Sequence, residues 1–178
     1  MPPNATLFDA FERLYHKLRR AAAQQIRLEP PSISLPPTGL VHAVLVRLAG
    51  TRRLDWRSDS QLLRIASKAM RDALVDHARA KRSQKRGGGS TQVVLEEQLT
   101  LRVKDTARGV ELLDLDTALQ ELASIEPRQA EVVQMAYFGG MSHGEIAAVL
   151  AVSERTVRGD LVLAKKWLLD RLSERERD

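Results

Sequence analysis

The sequence has no cysteine and very few aromatic residues. The absence of cysteine among the 178 residues excludes disulfide bonds and thiolate metal sites. Aromatic residues make up only 4% of the chain, which disfavours an all-β fold and a stacking surface for single-stranded nucleic acid. No stretch is apolar over the length that crosses a membrane, and no signal-peptide pattern opens the chain. We therefore expect a soluble, cytoplasmic protein without a membrane span.

The abundant residues favour helices and a polyanionic partner. Alanine, leucine, arginine and glutamate dominate the composition, and all four are good helix formers. The formal net charge of +5 favours an acidic partner such as nucleic acid, although net charge alone is a weak indicator. The composition therefore predicts an all-α protein.

Residues 141–168 contain the strongest local pattern of the chain. Ser142 and Glu145 have the spacing of a helix capping box. Ser153 has the character of a second N-cap, followed by Glu154 in the first turn. Beyond it, apolar residues recur at helical spacing at Val157, Leu161, Ala164 and Leu168. Two short helices joined by a brief turn form a helix-turn-helix, whose second helix can enter a DNA major groove.

The preceding chain predicts further helices separated by breaks. We expect helices over residues 5–28, 39–49 and 58–83, the second capped by Thr38 and isolated from the first by four prolines. Arg47 is the only formal charge in the second helix, so this helix is either buried on most sides or presents an apolar surface to a partner.

A basic run and a glycine triplet mark the middle of the chain. Residues 64–86 contain eight basic and two acidic residues, an excess that can follow a phosphate backbone. Three glycines follow and indicate a flexible linker. The predicted organisation is two small helical domains, residues 1–86 and 110–178, joined by a linker at 87–109. The second domain comprises four helices, including the helix-turn-helix.

Catalytic chemistry has little support in the sequence. The four histidines are far apart, and neither a zinc-binding HExxH motif nor a nucleophile elbow is present. We therefore predict no catalytic residue, no metal site and no cofactor. An enzyme remains the weakest hypothesis, supported only by the histidines.

Two segments together carry a resemblance to a known family. Residues 119–168, LQELASIEPRQAEVVQMAYFGGMSHGEIAAVLAVSERTVRGDLVLAKKWL, resemble the promoter-recognition domain of bacterial sigma factors of the extracytoplasmic-function group. Residues 66–89, ASKAMRDALVDHARAKRSQKRGGG, resemble the end of that group's first domain. Response regulators carry a similar helix-turn-helix, so the specificity lies in the combination of the two segments.

The resemblance implies a non-enzymatic subunit that directs RNA polymerase to promoters. Its partners would be double-stranded promoter DNA and the polymerase core, with an anti-sigma factor as a further candidate. The upstream element would be contacted by Ser153, Glu154, Arg155, Thr156, Arg158, Lys165 and Lys166, with Arg155, Thr156 and Arg158 nearest the bases. The downstream element and melted DNA would be contacted by Lys68, Arg71 and Arg79. The docking helix for the polymerase, PTGLVHAVLVRL, would use Leu40, Val41, Val44, Leu45, Arg47 and Leu48.

Two departures from the family pattern keep alternatives open. The family usually has an acidic residue near the positions of His42 and Ala43, and aromatic residues at the positions of Leu62 and Leu63. Aromatic side chains there would pack against unstacked bases. One alternative is a degenerate sigma-like protein with altered polymerase contact. Another is a stand-alone helix-turn-helix regulator that uses only the C-terminal module.

Overall fold

The computed structural model describes residues 6–26, 35–51, 54–84, 92–93 and 110–175, and this part of the chain is almost entirely helical. The helices are α1 (Leu7–Gln25), α2 (Pro37–Ala49), α3 (Asp59–Gln84), α4 (Leu112–Ile125), α5 (Pro127–Tyr137), α6 (His143–Leu150) and α7 (Glu154–Arg175). Two two-residue strands, β1 (Gln92–Val93) and β2 (Val110–Glu111), pair antiparallel. The predicted all-α class is confirmed. Most of the predicted linker at 87–109 lies outside the described residues.

The first three helices form one side of the molecule. A capping box between Thr6 and Asp9 begins α1, and the apolar stripe that includes Phe11 and Leu18 is buried. Helix α2 begins at Pro37, earlier than predicted, and Thr38 is not its cap. A proline in the first turn fits this start because its missing N–H would have had no intrahelical partner.

Helix α3 packs against helices from both halves of the chain. It contacts α1 and α2 on one side and α4, α5 and α6 on the other. The buried apolar residues of the described chain form one continuous cluster that spans both halves. The division into two domains stays a prediction, and the described residues show the two halves in contact.

An ion-pair cluster holds the C-terminal part of α7 against α4. The guanidinium of Arg171 donates to Glu121 at 2.5 Å, and that of Arg175 donates to the same carboxylate at 2.8 Å. The hydrogen bond from Arg171 lowers the pKa of Glu121 and outweighs the opposing effect of burial. Glu121 therefore stays ionised while it bridges the two helices.

None of the helices described combines the length and the apolar character needed to cross a membrane.

The turn between α6 and α7 provides a first test of the fold. Ala151 ends α6 in the left-handed region, with φ 54° and ψ 42°, and its side chain is exposed. Because glycine avoids the steric cost of this conformation, Ala151→Gly should raise the free energy of unfolding by about 0.5–1 kcal/mol after its own entropic cost. Denaturant unfolding measures this change.

The matched control is Ala148→Gly, an exposed position inside α6. There the same substitution should destabilise the protein by about 1 kcal/mol, since glycine is a poor helix former. A loss of stability in both variants would contradict the left-handed turn.

The Glu121 cluster provides a second test. Glu121→Gln should lower the free energy of unfolding at pH 7 by up to about 1 kcal/mol, as partly exposed ion pairs do. The pKa of Glu121 in the folded state lies below its usual 4.5. The stabilisation is therefore complete above the unfolded-state pKa and is lost as pH falls from there through the folded-state pKa. Wild type and variant should therefore converge in acid, as followed by unfolding at stepwise lower pH.

The control for this test is Glu126→Gln, at an exposed residue whose side chain makes no capping hydrogen bond. It should show little difference from wild type at any pH. A Glu121→Gln effect that stays constant down to strong acid would rule out the ion pairs as its cause.

Candidate nucleic-acid interface

Helices α6 and α7 are joined by a short turn, and each of the two helices begins at a defined N-cap. Ser142 and Glu145 form the predicted capping box, with the Ser142 N–H donating to Glu145 at 2.8 Å. After the left-handed Ala151, the Ser153 hydroxyl accepts from the Thr156 N–H at 3.0 Å and begins α7. Both predicted cap residues are confirmed. The caps fix where each helix begins, so the side chains on α7 have a defined direction.

The inner face of α7 is buried as its periodicity predicts. Val157, Leu161, Ala164 and Leu168 are all at most 5% exposed. Asp160 lies on the same face, and its buried carboxylate accepts from Arg128 of α5 at 2.8 and 3.1 Å. This ion pair ties α7 to the start of α5. We did not predict Asp160 from the sequence, although an acidic residue at helical spacing within an apolar stripe is a usable signal of a buried ion pair.

The outer face of α7 carries the exposed cations. Arg155, Arg158 and Lys166 are exposed. Arg158 Nη1 lies 3.6 Å from Glu154 one helical turn away, a surface pair that is easily exchanged for another partner. These side chains occupy the side of α7 opposite the core, where a ligand has access to them.

Three other predicted DNA contacts, on α7 or at its cap, are engaged within the protein. The Ser153 and Thr156 hydroxyls lie 2.8 Å apart and hydrogen-bond to each other within the cap. Lys165 is only 2% exposed. The prediction of a DNA contact at Lys165 does not fit this burial, because its position on α7 faces the core. Lys166, the next residue, remains the candidate for a phosphate contact.

The predicted cations of α3 lie along a cleft between the two halves. The cleft has a volume of about 570 Å³. Its charged lining consists of Arg47, Lys68, Arg71 and Arg79, together with Asp72, Asp76 and Asp116. The structure thus brings three predicted DNA contacts and one predicted polymerase contact together. It also places three carboxylates among them, so the cleft is less cationic than the sequence of α3 suggests.

The three α3 cations differ in their accessibility. Lys68 is exposed, and the side chain of Arg79 is 64% exposed. Arg71 is 13% exposed and donates to Asp116 of α4, at 2.8 Å to the carboxylate and 2.9 Å to the backbone carbonyl. Arg71 is therefore engaged within the protein, whereas Lys68 and Arg79 face solvent.

The apolar residues of α2 belong to the core of the protein. Leu40, Val41, Val44 and Leu48 are at most 4% exposed, and Leu45 is half-buried. The structure matches neither of the two alternatives in full, because one side of the helix is buried in the core and the opposite side is exposed. The four buried residues do not offer a surface to the polymerase, because they pack inside the protein. The exposed side of α2 carries His42, Val46 and Arg47, and Arg47 donates to Asp76 of α3.

The two positions that lack aromatic residues also lie in the core. Leu62 and Leu63 are 0% and 1% exposed. A side chain at either position packs inside the protein and cannot reach a base in this structure. In this chain, Leu62 and Leu63 therefore contribute to core packing.

The described part of the chain contains no candidate metal-binding cluster. Within those residues, no group of three or more histidine, aspartate or glutamate side chains is arranged to hold a metal ion.

We compared the chain with known protein families, curated proteins and solved structures. No curated protein and no solved structure matches the chain significantly. A family model described as ECF sigma factor matches residues 4–174, a range that includes α1 to α6 and almost all of α7. The match covers both segments of the resemblance and nearly the whole chain between and around them. The chain therefore belongs to the ECF sigma factor family, whose members act with RNA polymerase in transcription initiation.

Proposed function

We propose that this sigma factor contacts the upstream promoter element with the exposed face of α7 in the major groove. The observation that carries the proposal is the pair of exposed arginines, Arg155 and Arg158, on the first turns of a helix whose opposite face is buried. Arginine recognises guanine with two hydrogen bonds in the major groove. The N-terminal residues of a recognition helix are the ones that contact base edges.

The way α7 is held supports this role. The Asp160–Arg128 pair fixes the helix near its start, and the Glu121 cluster fixes it near its end. The Ser153 cap defines its first turn. A helix restrained at several points along its length presents its exposed arginines at fixed spacing, as discrimination between bases requires.

The second DNA contact that we propose is through α3. Lys68 and Arg79 are exposed along the cleft, and Arg71 lies between them in sequence on the same helix. Cations spaced along one helix can neutralise successive phosphates. This arrangement is suited to holding the backbone of the downstream element and of melted DNA.

For polymerase docking, we propose the exposed side of α2. His42 and Val46 are accessible there, with Val46 58% exposed, and the helix contains no acidic residue. This lack of an acid favours one alternative, a sigma-like protein whose contact with the polymerase differs from that of its relatives. The stand-alone regulator remains the hypothesis for a chain that does not bind the polymerase at all.

Run-off transcription with purified core RNA polymerase tests the proposed function. The template should be a library with randomised promoter elements, so that no promoter sequence has to be assumed. Initiation at a selected sequence is expected only when the chain is present. Failure to form a complex with core polymerase, together with a strong footprint from the free protein, would favour the stand-alone regulator.

Replacement of Arg158 tests base recognition by α7. With the selected promoter, Arg158→Ala should weaken binding of the complex by about 1–3 kcal/mol and relax the preference at one base position. Selection from the same library measures both effects. Arg19→Ala removes an exposed arginine from α1 and is the matched control. Unchanged binding and unchanged preference would remove Arg158 from the interface.

Replacement of Lys166 tests a phosphate contact. Lys166→Ala should weaken binding to all sequences alike and reduce the slope of log affinity against log salt by about one. Titrations at several salt concentrations, on selected and unselected duplexes, measure the slope. A loss confined to the selected duplex would instead indicate base recognition by Lys166.

A further inference from the structure

The exposed side of α7 has a stripe whose middle carries no charge. Arg155, Gly159, Val162 and Lys166 follow one another at intervals of four, three and four residues, and all of them are exposed. This spacing places them one above another on the helix, on the side opposite its buried residues. The two cations therefore lie at the ends of the stripe, with a glycine and a valine between them.

Nothing inside the protein requires a glycine at position 159. A Cβ atom added there would have no heavy atom within 4 Å, whereas one added at Gly139 would lie 2.9 Å from the Cβ of Ser67. Gly159 lies in the interior of α7, where glycine is less favourable than alanine. Gly159 thus destabilises the helix without a packing reason within the protein. A close approach by a ligand would supply the reason.

Two aliphatic side chains are exposed on the next turn of α7. Val162 is 47% exposed and Leu163 is 57% exposed, and neither belongs to the apolar core. Valine is also a weaker helix former than the residues usual on an exposed helix face. The apolar surface at Val162 and Leu163 therefore contributes little to the fold, and a ligand could cover it.

The charges around this surface favour DNA as its ligand. Arg155 and Arg158 precede the apolar pair and Lys166 follows it, so cations lie on both sides. Phosphates line the edges of the major groove, and base edges form its floor. Two apolar side chains are too small a surface for a stable protein interface. Asp170, exposed one turn after Lys166, would repel phosphates, so the surface that meets DNA ends before it.

We propose that Gly159 and Val162 are the part of α7 that comes closest to the bases, and that Val162 recognises a thymine by its C5-methyl group. The missing side chain at Gly159 lets the helix lie deeper in the major groove. At that depth the short side chain of Val162 reaches the groove floor, where thymine presents an apolar methyl group. The inference rests on the proposed function of α7 and adds a base preference to it.

The spacing on α7 predicts where the thymine lies. Arg158 and Val162 are four residues apart, which corresponds to about 6 Å along the helix axis. Successive bases are about 3.4 Å apart along the axis of DNA. For a helix that lies along the groove, the thymine is therefore within about two base pairs of the position that Arg158 recognises. The upstream element should combine a guanine with a neighbouring thymine, since arginine in the major groove recognises guanine.

The first test removes the methyl group from the DNA. Duplexes with a randomised upstream element are selected by capture on the complex of the full-length chain with core polymerase, or on the free chain if no complex forms. The selected thymine is then replaced by deoxyuridine, which lacks only the C5-methyl group. Wild type should bind the deoxyuridine duplex about three- to fivefold more weakly, the loss expected for one buried methyl group.

The second test shortens the side chain that contacts the methyl group. Val162→Ala should bind the thymine duplex more weakly, and its affinities for the thymine and deoxyuridine duplexes should differ by less than about twofold. Ile125→Ala is the matched control, because it shortens another exposed aliphatic side chain, at the end of α4. This control should keep the wild-type difference between the two duplexes.

Side chains added at position 159 test the close approach. Gly159→Ala and Gly159→Leu should both raise the midpoint of denaturant unfolding, because both residues form helices better than glycine and have space there. Both should nevertheless weaken binding to the selected duplex, by about tenfold for alanine and further for leucine, as overpacking of a close contact does. Ala123→Leu, which enlarges an exposed residue of α4, should leave binding unchanged. A variant that is more stable but binds more weakly cannot be explained by misfolding.

The outcomes separate this inference from the proposed function. A selected element without thymine, or equal binding of the thymine and deoxyuridine duplexes by wild type, would overturn the methyl contact. Unchanged affinity in Gly159→Leu would overturn the close approach. Weaker binding of Gly159→Leu to core polymerase without DNA would also overturn it, because the stripe would then meet a protein. Failure in run-off transcription would count against the proposed function alone, since capture on the free chain still decides the thymine contact.

Discussion

The rest of this structure depends on one constraint, which is that α3 buries residues against helices of both halves of the chain. Leu62, Leu63 and Met70 of α3 are buried, and α3 contacts α1 and α2. Beside this contact, Arg47 of α2 pairs with Asp76 of α3. The face of α3 with Ser67 and Arg71 meets α4, α5 and α6. Ion pairs lie at both contacts, and the buried apolar residues form one cluster that continues across both halves. Helix α3 therefore joins the two halves through a shared apolar core with ion pairs beside it.

Helix α7 illustrates how polar groups are used to position a surface. Its apolar stripe alone would permit some rotation and sliding against the other helices. Asp160 removes that freedom because its buried carboxylate is satisfied only when Arg128 is opposite to it. Glu121 has the same effect at the other end of the helix. These ion pairs thus fix the positions of the exposed arginines on the outer face of α7, although the ion pairs lie on the inner side of the helix.

The cleft beside α3 places the cations that we propose for DNA binding next to α2, the helix that we propose for polymerase docking. Lys68 and Arg79 are exposed there, whereas Arg71 is paired with Asp116. Arg47 and Asp76 link the same cleft to α2, the helix proposed to meet the polymerase. The surfaces that we propose for polymerase docking on α2 and for DNA binding on α3 are therefore adjacent.

The sequence by itself determined the helical class, the capping box at Ser142, the cap at Ser153 and the buried stripe of α7, as well as the motifs that resemble the family. All of these depend on residues a few positions apart, where the geometry of a helix relates spacing to direction. Only the tertiary structure decided which polar residues are enclosed. Asp116 lies 45 residues from Arg71 in the chain, and Lys165 differs from exposed Lys166 only by its side of the helix. Burial and ion pairing of this kind depend on which distant helix lies opposite, and local periodicity carries no information on that partner.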